Sequence, residues 1–167
     1  MWKRKRFSFD IKNSFYSQRK RLVQRWIFMS KKKSWSKNRK FLKSIPNPSK
    51  EAYEIKSKIP ELTFLGDKDK PDFAKLYLTF YPASCVIELK SLKEYIYEFR
   101  NQLYSYERLI NVIYDDLMSV YKPKRLRLVL LTNPRGGIST RLCVDSDWSA
   151  RGGKEEFNDW SMQKDEW

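Results

Sequence analysis

The uneven distribution of charge along this chain limits which part of it can fold. Residues 1–50 contain 17 lysines and arginines and one acid, Asp10, a net charge of +16. Residues 51–167 contain 18 basic and 19 acidic residues, a net charge of −1. A long block of like charge repels itself, whereas a near-neutral segment of this length can bury a core. We therefore predict a basic extension over 1–50, a domain over 51–148 and a polar, Trp-bearing tail over 149–167.

The composition of the extension predicts a polyanionic partner, for which RNA is the best candidate. Lysine and arginine contact phosphates, and tryptophans between them stack on unpaired bases or anchor a protein partner. The same composition also suits an organellar transit peptide that is removed from the mature protein. The residues expected to contact nucleic acid are Lys3, Arg4, Lys5, Arg6, Arg19, Lys20, Arg21, Arg25, Trp26, Lys31, Lys32, Lys33 and Trp35.

The residue types that the chain lacks exclude several kinds of site. It contains no histidine, the side chain most often used for proton transfer near neutral pH and the commonest metal ligand. Its two cysteines, Cys85 and Cys143, are too few and too far apart for a zinc site or a disulfide framework. No apolar run approaches the roughly 20 residues that span a bilayer. We expect an intracellular protein, of the cytoplasm or an organelle, with no metal and no membrane span.

The hydrophobic pattern after residue 50 predicts an α+β domain. Residues 73–81 alternate between apolar and polar side chains, which is typical of a strand with one buried face. Residues 88–103 and 105–121 each carry an apolar stripe at helical spacing. Further strands are predicted over 62–65, 125–132 and 138–144. The order β-β-α-α-β-β predicts a four-stranded antiparallel sheet with two helices on one face. Its exposed edges must be blunted or paired with another subunit or a protein partner.

Three short motifs stand in order along this predicted domain: P-D-F at 71–73, E-L-K-S-L-K at 88–93 and P-R-G-G at 134–137. Together they resemble the QueF-type 7-cyano-7-deazaguanine reductases, NADPH-dependent nitrile reductases of queuosine biosynthesis. The resemblance covers about residues 61–142. It implies the tunnelling fold, which forms ring-shaped oligomers by joining sheets edge to edge, with the substrate pocket at the subunit interface.

The resemblance implies roles for particular residues. Asp72 matches the proton-transfer aspartate, and Glu107 matches the glutamate that grips the purine-like base. Glu88 is expected beside that pocket, while Lys90 and Lys93 match the motif associated with NADPH. Arg100 and Arg135 are expected in structural or phosphate-contacting positions. The residues alone also allow Asp72 as a turn residue, Glu107 as a charge favoured in the first turn of a helix, and the lysines as a solvated face.

Two departures from the family pattern affect the predicted chemistry. The loop before P-D-F begins with Cys-Pro in the family, and that cysteine forms a covalent thioimide with the substrate. Here the loop reads G-D-K-D-K over 66–70 and contains no thiol. A histidine expected before the base-gripping glutamate is replaced by Tyr106, which titrates too high to act as an equivalent acid or base.

Two functions follow from these departures. The preferred one is a catalytically degenerate family member that serves as an RNA-binding or structural component, without a cofactor. Its RNA would be tRNA, or rRNA of a ribosome-like or organellar assembly. The alternative is an active NADPH-dependent nitrile reductase, or a related enzyme of 7-deazaguanine tRNA modification.

Overall fold

In the computed structural model, residues 36–68 and 70–147 are described. The proposed nucleic-acid contacts, from Lys3 to Trp35, and the tail over 149–167 lie outside these residues. A short 3-10 helix, Lys37–Phe41, precedes two α-helices, α1 (Leu89–Tyr97) and α2 (Tyr106–Tyr121). The strands are β1 (Ser44–Pro46), β2 (Ile55–Asp67), β3 (Lys70–Tyr81), β4 (Cys85–Ile87), β5 (Arg125–Thr132) and β6 (Arg141–Asp145).

The main sheet is antiparallel throughout and has the strand order β2-β3-β5-β6. Strands β1 and β4 form a separate two-stranded ribbon, which the sequence analysis did not predict. Both α-helices contribute to the hydrophobic core on one face of the sheet. The predicted α+β class and the β-β-α-α-β-β order of the main elements are therefore confirmed.

The core forms from alternate residues of the two central strands. Leu76, Leu78 and Phe80 of β3 and the leucines at 126, 128 and 130 of β5 are almost completely buried against the helices. Side chains alternate between the two faces of a strand, so one parity of each strand supplies this layer. Full burial of each such side chain contributes about 1.5–3 kcal/mol.

Strand β2 is much longer than the predicted strand over 62–65. Its first half pairs with β3 from Ile55 opposite Phe80 to Ile59 opposite Leu76, and an irregularity separates this half from Leu62 opposite Ala74. Lysines at alternate exposed positions make this half look like loop in the sequence, although the same alternation is typical of an exposed-edge strand. Pairing with β3 extends the strand, and a local sequence pattern gives no information about that pairing.

Helix α1 ends at Tyr97, earlier than the predicted end at residue 103. Short turn bonds follow, in which Phe99 N–H donates to Ile96 O (3.3 Å) and Gln102 N–H donates to Phe99 O (3.0 Å). The chain then runs beside β2, where Leu65 exchanges backbone hydrogen bonds of 2.9 Å with residues 102 and 104. Leu103, predicted on the buried stripe, is 57% exposed, and that assignment was wrong because pairing with β2 replaces the last helical turn.

The described end of the predicted extension is attached to the domain. Ser36 donates hydrogen bonds from its hydroxyl and its backbone N–H to the carboxylate of Asp116, and Tyr95 donates to the same carboxylate at 2.9 Å. Leu42 joins the hydrophobic core, and strand β1 pairs with β4. Within the described residues, contacts with the domain are therefore already present at Ser36, before the boundary expected at residue 50.

Asp116 is completely buried, and its burial raises the pKa of its carboxyl despite the hydrogen bonds from Ser36 and Tyr95. An aspartate whose pKa is raised in the folded state contributes full stability below its unfolded pKa and loses that contribution as the pH rises through its folded pKa. The carboxylate is nevertheless the acceptor that joins three segments of the chain, so its removal leaves buried hydroxyl donors without a partner.

We predict that Asp116→Ala lowers the free energy of unfolding by about 2–4 kcal/mol at pH 7, because it creates a cavity and leaves two hydroxyl groups unpaired. Asp116→Asn keeps an acceptor and should cost less. It should also remove the decline in stability between about pH 4 and the folded pKa of Asp116. Urea unfolding from pH 4 to 8 measures both effects, with the exposed Glu94→Gln as a control. An Asn variant that keeps the pH profile of the unaltered chain would contradict the assignment.

Candidate functional site

A cavity of about 350 Å³ opens at the end of the sheet where the β2–β3 hairpin meets the N-terminus of α2. A third segment, the turn between β5 and β6, completes its wall. The nine lining residues are Gly66, Asp72, Tyr104, Ser105, Tyr106, Glu107, Arg135, Ile138 and Thr140.

Asp72 is the buried acid of this cavity. It lies on β3 opposite Phe64 of β2 and is 8% exposed. Its Oδ2 atom accepts a hydrogen bond from the Tyr106 hydroxyl at 3.1 Å and forms an ion pair with Nη1 of Arg135 at 3.0 Å. Burial raises the pKa of Tyr106, and the hydrogen bond to Asp72 raises it further. Tyr106 is therefore a hydrogen-bond donor here and does not replace histidine as an acid or base near pH 7.

The N-terminus of α2 brings Tyr106 and Glu107 to the cavity. Ser105 caps the helix, and its hydroxyl oxygen accepts the Arg108 N–H at 3.3 Å. Tyr106 packs edge to face against Phe64, with ring centroids 5.8 Å apart, which fixes the direction of its hydroxyl. Glu107 occupies the first helical turn, where the helix dipole favours an acid, and it is exposed at the cavity rim.

The turn after β5 delivers Arg135. Arg135 and Ile138 exchange backbone hydrogen bonds of 3.0 and 3.2 Å, which closes the turn. Gly136 and Gly137 between them have φ values of 59° and 81°, a region that side chains other than glycine rarely adopt. The P-R-G-G motif therefore supplies both the arginine and the backbone conformation that directs it toward Asp72.

Two of the predicted site residues, Asp72 and Glu107, line the same cavity. Glu88 does not line it. Its carboxylate instead caps α1, accepting the N–H groups of Lys90 at 2.9 Å and Ser91 at 2.7 Å, and these bonds lower its pKa. The expected position of Glu88 beside the pocket is therefore not found within one chain, because the carboxylate is used at the helix N-terminus.

A second concavity, of about 560 Å³, lies between the edge of β2 and α1. Lys93 lines this groove, whereas Lys90 is exposed and does not. Three further cations, Lys56, Lys58 and Arg100, are among the lining residues, and Arg100 also pairs with Glu61 at 3.0 Å. The roles of Lys90 and Lys93 in cofactor binding remain predictions.

Neither cysteine reaches the cavity. Asp72 and Tyr81 are nine residues apart on β3, about 30 Å at about 3.3 Å per residue, and Cys85 lies beyond Tyr81. Cys143 pairs with Val129, which pairs with Tyr77, so it lies about 16 Å farther along the sheet than Asp72. Within residues 36–68 and 70–147, no three His, Cys, Asp or Glu side chains come together as a possible metal site.

Sequence reasoning missed the contacts that define the cavity. It placed Arg135 in a structural or phosphate-contacting position without finding its partner, Asp72, which is 63 residues away in the sequence. It also gave no role to Gly66. The N-P-R-G-G sequence over 133–137 was the signal in the sequence for a turn that could direct this arginine. Neither helix of the described residues has the length and apolar content needed to span a membrane.

Comparison with known proteins identifies the relatives of this chain. A family described as QueF-like protein matches residues 71–151. The NADPH-dependent 7-cyano-7-deazaguanine reductase of Nitratiruptor sp. is 42% identical over 110 residues, which cover 65% of this chain and 84% of the relative. The reductase of the same name from Nitrosococcus oceani is 43% identical over 106 residues, with 62% and 82% covered.

Among solved structures, the apo archaeosine synthase QueF-Like matches 59% of this chain and 95% of its own, with a TM-score of 0.48 and 12% identity. The family assignment rests on the sequence identity to the bacterial reductases and on the large share of their length that is covered. This chain belongs to the QueF-type family of NADPH-dependent 7-cyano-7-deazaguanine reductases.

Proposed function

We propose that this chain is a binding protein built on the reductase fold, which holds a flat nitrogen heterocycle in its cavity and RNA on its basic extension. One observation carries the proposal. The cavity contains no thiol, and Asp72, its buried acid, is already engaged by Arg135 and Tyr106. The chain would thus use the family's binding site without the family's covalent reaction.

Covalent addition to a nitrile carbon needs an activated nucleophile. The hydroxyl groups of Ser105 and Thr140 are the remaining aliphatic nucleophiles in the lining. Ser105 caps α2, and no histidine exists in the chain to activate either group. The Tyr106 hydroxyl donates a hydrogen bond to Asp72, and its raised pKa keeps it protonated, so it presents no free base. These contacts support binding without a covalent intermediate.

The polar groups of the cavity suit a heterocycle with an N–H edge. Glu107 offers a carboxylate acceptor at the rim, and Tyr104 and Tyr106 provide aromatic surface beside it. The ligand we propose is the 7-deazaguanine base, in the form named for the relatives or as part of a nucleotide. Because Glu107 is exposed in the single chain, we propose that another subunit or protein partner closes the site. Within the described residues, the outer edge of β2 over 55–63 has no backbone partner and could join such a subunit.

Ser36 is attached to α2, the helix whose N-terminus lines the cavity. Ser36 contacts Asp116 of α2, eleven residues from Ser105 at the helix N-terminus. At about 1.5 Å per residue, these positions are about 16 Å apart along the helix. The RNA that we propose for the basic extension is tRNA or rRNA. Location in a ribosome-like or organellar assembly belongs to the same proposal.

Binding of the heterocycle can be measured directly. We predict that 7-cyano-7-deazaguanine binds the full chain and that Glu107→Gln weakens binding about tenfold or more, because a carboxylate acceptor for the N–H edge is lost. Isothermal titration calorimetry gives both affinities. The exposed Glu98→Gln on the neighbouring segment is the matched control. Equal affinities for Glu107→Gln and the unaltered chain would remove Glu107 from the site.

RNA binding should depend steeply on salt. For single-stranded RNA, the slope of log affinity against log salt is about 0.7 per phosphate contacted, so alanine at Lys31, Lys32 and Lys33 should reduce it by about 2. Alanine at Lys56 and Lys58 removes charge from the sheet edge and is the control. Fluorescence anisotropy across salt concentrations measures the slope. Absence of binding by the full-length chain at low ionic strength would refute the RNA proposal.

The second candidate function is an active NADPH-dependent reductase. The identity to the reductases and the presence of Asp72 and Glu107 in one cavity favour it. The cations of the β2–α1 groove, including Lys93, fit the phosphates of a dinucleotide, whereas Lys90 does not line the groove. Bound there, NADPH would supply a hydride. Under the preferred proposal no cofactor is needed.

We predict no oxidation of NADPH above background when the full chain is mixed with 7-cyano-7-deazaguanine. Turnover that is lost in Asp72→Asn would contradict the binding-protein proposal and support the enzyme. A covalent adduct on Cys85 or Cys143, detected by mass spectrometry of the intact protein, would do the same.

A further inference from the structure

Gly66 lies directly beside the carboxylate of Asp72. A Cβ atom at Gly66 would lie 1.8 Å from Oδ2 and 2.6 Å from Cγ of Asp72, and 2.8 Å from Nη1 of Arg135. Real Cβ atoms essentially never approach other atoms within 3.0 Å. The backbone of Gly66 is not among the positive-φ positions, so a side chain here would be opposed by the ends of the Asp72 and Arg135 side chains, which would have to move, and not by backbone conformation.

The space beside Gly66 lets one carboxylate oxygen meet two donors. Tyr106 comes from the first turn of α2, and Arg135 comes from the turn between β5 and β6. Asp72 itself belongs to the β2–β3 hairpin. Its side chain is 10% exposed and that of Arg135 is 43% exposed, so the pair lies at the boundary between protein and solvent.

We infer that Gly66 is a positioning residue that makes Asp72 the fixed centre of a latch. The latch joins the β2–β3 hairpin, the N-terminus of α2 and the turn over residues 133–138. Any side chain at residue 66 displaces the carboxylate and separates it from Arg135. With glycine at residue 66, Asp72 bonds to Tyr106 and Arg135 in the cavity wall. With a side chain there, the carboxylate would turn toward the cavity interior.

The latch has a consequence for the chemistry of the cavity. The Asp72 carboxylate accepts hydrogen bonds from a guanidinium and a hydroxyl group. To transfer a proton to a ligand, it would have to break both of these hydrogen bonds. This consequence rests on the proposed function. The latch itself is a property of the ligand-free chain, so the two can be tested separately.

A double-mutant cycle measures the latch. Asp72→Asn, Arg135→Gln and the double variant are compared by urea unfolding in the Gly66 chain and in Gly66→Ala. The coupling between the two residues should change the unfolding equilibrium constant about fivefold or more in the Gly66 chain. It should disappear in Gly66→Ala. Lys70→Ala, an exposed change on the same hairpin, is the matched control and should keep the coupling.

Nuclear magnetic resonance of the Arg135 side chain measures the rotation of its guanidinium group, which a general loss of stability does not change. In the ligand-free Gly66 chain, rotation of the guanidinium should be slowed by its pairing, and Gly66→Ala should restore fast rotation. Asp72→Asn should restore it too, which tests the pairing of Asp72 with Arg135 even if Gly66→Ala does not fold. Equal coupling in Gly66→Ala, or slowed rotation in Asp72→Asn, would overturn the latch. Reductase activity with an intact latch would refute the proposed function alone.

Discussion

The antiparallel pairing of β2 with β3 determines where every group of the cavity lies. It sets Phe64 opposite Asp72 and brings Gly66 beneath the Asp72 carboxylate. A slip of one residue would turn Asp72 to the other face of the sheet, since side chains alternate along a strand. The same pairing leaves Leu65 free on its outer side to bind residues 102 and 104, which leads the chain into α2. Tyr106 and Glu107 therefore reach the cavity only because the hairpin has this register.

The elements that the sequence predicted well are those with a strong local pattern. The alternation over 73–81 and the apolar stripe over 105–121 identified β3 and α2 closely, because burial against a single core produces these periods. The elements predicted poorly depend on distant partners. The first half of β2 is held by its register with β3, and α1 stops early where the chain pairs with Leu65. The ion pair between Asp72 and Arg135 joins residues that no local window contains.

The candidate site was likewise predicted in part from a local motif, while the contacts of its residues were not. A family motif identified Asp72 and Glu107 as candidates, and the structure brings both to one cavity. It also shows that the Glu88 carboxylate serves as the N-cap of α1, where its oxygens accept backbone N–H groups. Residue identity alone did not separate these two uses of a carboxylate. The neighbours of each carboxylate did, since Glu88 faces backbone N–H groups and Asp72 faces a guanidinium and a phenol.

The attachment of Ser36, Leu42 and β1 to the domain limits how the chain could be matured. If a peptidase removes the basic extension, a cut after Pro46 would take the Leu42 side chain out of the core and strand β1 away from β4. A cut before Ser36 would leave both in place, together with the donors to the buried Asp116. A stable mature product would therefore begin at or before Ser36, and its mass would show whether the lysine run over 31–33 remains with it.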